Sequence, residues 1–99
     1  MDTTQKFEVL QDAFSDTAEL DLLLQKQLEI TRDQYRLKIE RYDRDLITFE
    51  SSYKLDSDTF YERFAGGKMG DDMDYFEWAG LYELRKDALD KISRLEAAL

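Results

Sequence analysis

The stretch YRLKIERYDRDLITFESSY, residues 35 to 53, decides the fold. Its apolar and aromatic residues, Tyr35, Ile39, Tyr42, Leu46, Phe49 and Tyr53, recur at steps of 4, 3, 4, 3 and 4. That spacing keeps one narrow face of an α-helix oily and predicts that a second helix packs along it. Arg32, Arg36, Arg41 and Arg44 alternate with acids on the remaining faces, as on a solvated helix. The same phase runs upstream through Leu28, Leu24, Leu20 and Leu10, with Thr17 and Thr31 in the stripe. Leu10, Leu28 and Leu46 stand eighteen residues apart, five turns of ideal helix, and so return to one azimuth.

The pattern predicts one long helix over about residues 4–51. Its weak point is Ser15, Asp16 and Thr17, short polar side chains that favour caps and turns, where Asp16 and Glu19 have capping-box spacing. Around this point Leu20, Leu23, Leu24, Leu28 and Ile30 spread over about 160 degrees, wider than a two-stranded seam needs and suited to neighbours on two sides. Leu22 points elsewhere.

Downstream, LDSDTFYERFAGG, residues 55 to 67, predicts a short helix over about 57–65. Asp56 caps it, Leu55 and Phe60 occupy hydrophobic-staple positions, and Gly66 or Gly67 ends it in the left-handed conformation. A last helix over about 73–98 packs antiparallel on the long one, with Trp78, Leu81, Leu84, Ala88, Ile92, Leu95 and Leu99 inward. Asp87 with Lys91 and Asp90 with Arg94 support its surface. The fold class is therefore all-α, one helical domain over residues 1–99, forming a coiled-coil-like oligomer.

Composition agrees. The 99 residues hold no proline and four glycines, three of them between Gly66 and Gly70, so helix stops are confined to that linker. Absence of cysteine and histidine closes off disulfides, thiolate nucleophiles and the commonest general base and transition-metal ligand. The net charge is −9, with acids exceeding bases in both halves, so no basic face is set aside for phosphates and direct nucleic-acid binding is not expected. MDTTQKFEV is neither a secretory leader nor a transit peptide, and no apolar run approaches the roughly 20 residues that span a bilayer. A cytoplasmic protein without membrane attachment is the expectation.

The acids of MGDDMDYFEW, residues 69 to 78, invite three readings: a metal site, a catalytic site, or the start of a helix. Asp74 and Glu77 have capping-box spacing, Met73 and Trp78 sit at staple positions, and first-turn acids complement the helix dipole. Calcium loops need alternating acids, a glycine at the sixth position and a distal glutamate, which this stretch lacks. For a carboxylate-held magnesium, Glu40 and Asp43 form a single one-turn pair with no acidic cluster facing them upstream. Neither metal, cofactor nor catalytic residue is expected, and the chain does not read as an enzyme.

Phe60, Tyr61, Phe64, Tyr75, Phe76, Trp78 and Tyr82 crowd into two dozen residues. Local negative charge argues against a nucleobase platform, leaving core packing or a protein-binding hot spot. For the second use the partner-binding residues are Tyr75, Phe76, Trp78 and Tyr82, rimmed by Asp71, Asp72 and Asp74.

SSYKLDSDTFYERFAGGKMGDDMDYFEWAGLYEL, residues 51 to 84, resembles a class of small acidic prokaryotic proteins. The shared features are an aromatic at Tyr53, a helix start over Leu55 to Phe60, the glycines of 66 to 70, and the acidic-aromatic run from Asp71 to Trp78. Such proteins are similar to antitoxin-like partners encoded beside small toxin genes. The resemblance implies the neutralising half of a toxin–antitoxin pair, with no cofactor and no catalytic residue.

Two functional classes follow. One is an interaction module, an antitoxin without a DNA-binding domain, whose acidic helices cover a basic toxin. The other is a homo-oligomeric coiled-coil adaptor with no toxin partner. Both rest on length: a helix of about 45 residues runs near 70 Å, and one of about 25 residues covers only about 38 Å of it.

Overall fold

The computed structural model describes residues 1–14 and 17–99, and every regular element among them is helical. They are α1 (Thr3–Ala13), α2 (Thr17–Tyr53), α3 (Ser57–Ala65) and α4 (Met73–Ala98). The principal extents are 58 × 24 × 18 Å, a rod little longer than α2 alone.

The helix expected over 4–51 is thus two helices. Asp2 and Gln5 form a reciprocal capping box at the start of α1, and Phe14 leaves the helix in an extended conformation (φ −95°, ψ 93°). The departure falls beside the weak point that the sequence marks at residues 15–17. The Asp16–Glu19 capping box lies outside the described residues.

Downstream of that point the periodic face behaves as its spacing requires. Leu46 is buried, and Tyr35, Ile39, Tyr42, Phe49 and Tyr53 are half-buried against α4. The two helices run antiparallel: Tyr53 meets Asp74, Asp43 pairs with Arg85, and Arg36 Nη2 donates to Glu96 Oε1 at 2.6 Å. The expected Asp87–Lys91 and Asp90–Arg94 ion pairs form at 2.9 and 3.0 Å.

The α2–α3 turn places Lys54 at φ 52°, a left-handed conformation rare outside glycine, and the Leu55 N–H donates to the Glu50 carbonyl across it. Asp56 caps α3 by accepting from the Thr59 N–H at 2.8 Å. At the other end Gly67 takes φ 72°, and the Lys68 and Gly67 N–H groups donate to the Arg63 and Phe64 carbonyls, the bond pair of a Schellman stop. Of the two candidate glycines, Gly67 therefore supplies the left-handed residue.

α4 departs from expectation in two details. Its N-cap is Asp72, accepting from the Asp74 N–H, and not Asp74. Asp74 instead accepts from the Tyr53 hydroxyl at 2.6 Å, so the Asp74–Glu77 box and the Met73–Trp78 staple do not form, and Met73 is 79% exposed. Leu84 and Leu99, expected inward, are exposed, because Ala79, Tyr82 and Arg85 turn toward α2 and α3 in their stead.

The core sits at the α3 end of the rod. Leu46, Phe60, Trp78 and Ala79 are buried together, and Phe49, Tyr53, Leu55, Phe64 and Tyr75 pack round them. Further along the helix pair, Ala88 is buried where α2 and α4 approach without α3.

Candidate protein-interaction surface

Trp78 is the centre of the core. Its indole has no exposed surface and stacks on Phe60 at 3.8 Å between centroids, with Phe49 and Tyr53 each at 5.7 Å. The indole Nε1–H donates to Ser57 Oγ at 2.9 Å, and the Ser57 N–H donates to Glu50 Oε2 at 2.8 Å. One buried hydrogen-bonded chain thus ties α4, α3 and α2, and no buried side-chain polar atom among the described residues lacks a partner.

The seven residues expected to bind a partner are therefore divided. Trp78 belongs to the core and has no face to offer. Tyr75 is half-buried, edge-on to Tyr53 at 5.4 Å. Tyr82 is half-buried, stacks on Tyr61 at 4.4 Å, and its hydroxyl donates to Asp58 at 2.9 Å. Asp72 caps α4 and Asp74 receives the Tyr53 hydroxyl. Both of these acids are exposed, as are Asp71 and Phe76, the latter 53% exposed and edge-on to Phe64.

These carboxylate acceptors leave an electrostatic signature. The hydrogen bond to Asp74 is the first cause that pushes the Tyr53 hydroxyl up to about 12. Tyr61 and Tyr82 are raised for the same reason by Glu83 and Asp58, since an anionic acceptor favours the protonated phenol.

A cleft of about 330 Å³ opens between α2, the start of α3 and α4, with Leu46 and Ile47 beside Asp43, Glu50, Asp58 and Arg85. Each of its acids already serves the fold: Asp43 pairs with Arg85, Glu50 holds the Ser57 N–H, and Asp58 holds Tyr82. Among the described residues no three acidic side chains gather as a metal-holding group, and no helix is long and apolar enough to cross a membrane.

A run of partly exposed apolar residues lies at the opposite end of the molecule, where no site residue was expected. Because Glu96 meets Arg36, α4 ends about level with residue 31, and some 20 Å of α2 projects past it. Among the described residues upstream of Thr31 none is buried. Phe7, Leu10, Leu23 and Leu24 are 40 to 45% exposed and Ile30 51%, while Leu20 and Leu28 are half-buried. The signal for this surface is present in the sequence: the stripe persists in phase upstream of the point a 26-residue helix can reach.

Fold and surface together define an acidic all-helical protein, with a hairpin closed at one end by α3 and an apolar N-terminal face left open at the other. Compared with models of known families, with curated proteins and with solved structures, the chain matches none.

Proposed function

We propose that this chain is a protein-interaction module, the neutralising partner of a small basic toxin, acting by direct binding in the cytoplasm without catalysis or cofactor. The observation that carries the reading is the N-terminal end: Phe7, Leu10, Leu23, Leu24 and Ile30 are 40 to 51% exposed there, past the point where α4 ends against α2. The charge supports a basic partner. A net charge of −9 accelerates encounter with cations and makes the rate fall as salt rises.

The toxin–antitoxin form of the reading comes from the resemblance over residues 51 to 84. Phe76 and Asp71, on the surface at the α3 end, offer a second and smaller contact. Co-expression with the product of the adjacent gene tests the reading. A stable complex together with relief of growth arrest supports it; a product that arrests growth regardless, and does not co-purify, overturns it.

The continuous phase of the stripe also suits a homo-oligomeric adaptor. Sedimentation of the isolated chain across concentration separates the two, because an adaptor is a tight oligomer with no partner present.

A further inference from the structure

We draw no further inference here: the strongest candidate, the acid-lined cleft of about 330 Å³ between α2, the start of α3 and α4, is a cluster of carboxylates that already hold Arg85, the Ser57 and Thr59 N–H groups and the Tyr82 hydroxyl, and nothing else in it points to a ligand.

Discussion

Trp78 lies over Phe60 with ring centroids 3.8 Å apart and planes 5° from parallel, and both side chains are fully buried. A nine-residue helix is too short to hold itself in water, so this stack is what fixes α3 to the hairpin. Trp78→Ala should lower stability by about 3–5 kcal/mol in urea denaturation. Ser57→Ala, which leaves the indole N–H unpaired, should cost about 1–3 kcal/mol. Equal stability of the wild type and Trp78→Ala would remove the tryptophan from the core.

Alkali should lower the protein's stability over a defined window. The folded state holds the Tyr53 proton up to about pH 12, while the unfolded chain releases it near 10.0, the ordinary tyrosine value. Between those values the unfolded state binds fewer protons, so the contribution of this bond to stability is complete below pH 10 and falls as pH rises toward 12. Tyr61 and Tyr82 contribute in the same direction. Urea melts at stepped pH should show that Tyr53→Phe reduces the slope; an unchanged slope would deny the Tyr53–Asp74 bond its role.

Lys54 occupies a left-handed position that costs an L-residue roughly 1–2 kcal/mol. Glycine relieves that strain but loses more entropy on folding. The net expectation for Lys54→Gly is a gain of up to about 1 kcal/mol, whereas a β-branched Lys54→Val should destabilise. Thermal melts of the pair decide it, and a Val variant as stable as Gly would contradict the turn geometry.

Much of this architecture is legible from residue spacing, and the exceptions have physical causes. The Tyr35-to-Tyr53 seam reads correctly because every residue on that face meets the same neighbour, so period alone determines its partner side. α3 reads correctly because Asp56 and the glycine pair mark both ends chemically. Leu84 misleads because α4 faces two elements at once, and where α3 packs decides whether Leu84 or Arg85 turns inward. Asp72 and Asp74 are chemically equivalent as caps, and only the approach of Tyr53 separates them. Trp78 shows the deeper ambiguity: cores and interfaces both favour large aromatics, so composition leaves its burial open.

Removing residues 1–14 should leave stability within about 0.5 kcal/mol, since α1 buries none of its side chains. The same truncation should weaken capture of the partner, through loss of Phe7 and Leu10. A truncated chain that melts markedly earlier would place α1 in the fold, not at the interface.

Amide hydrogen exchange of the isolated chain, at a concentration where sedimentation shows a monomer, tests the central claim most directly. Residues 3–13 and 17–30 should exchange much faster than residues 35–53 and 75–92, since the latter form the seam between α2 and α4. Strong protection of residues 3–30 in that monomer would contradict the account, because the face would then need no partner.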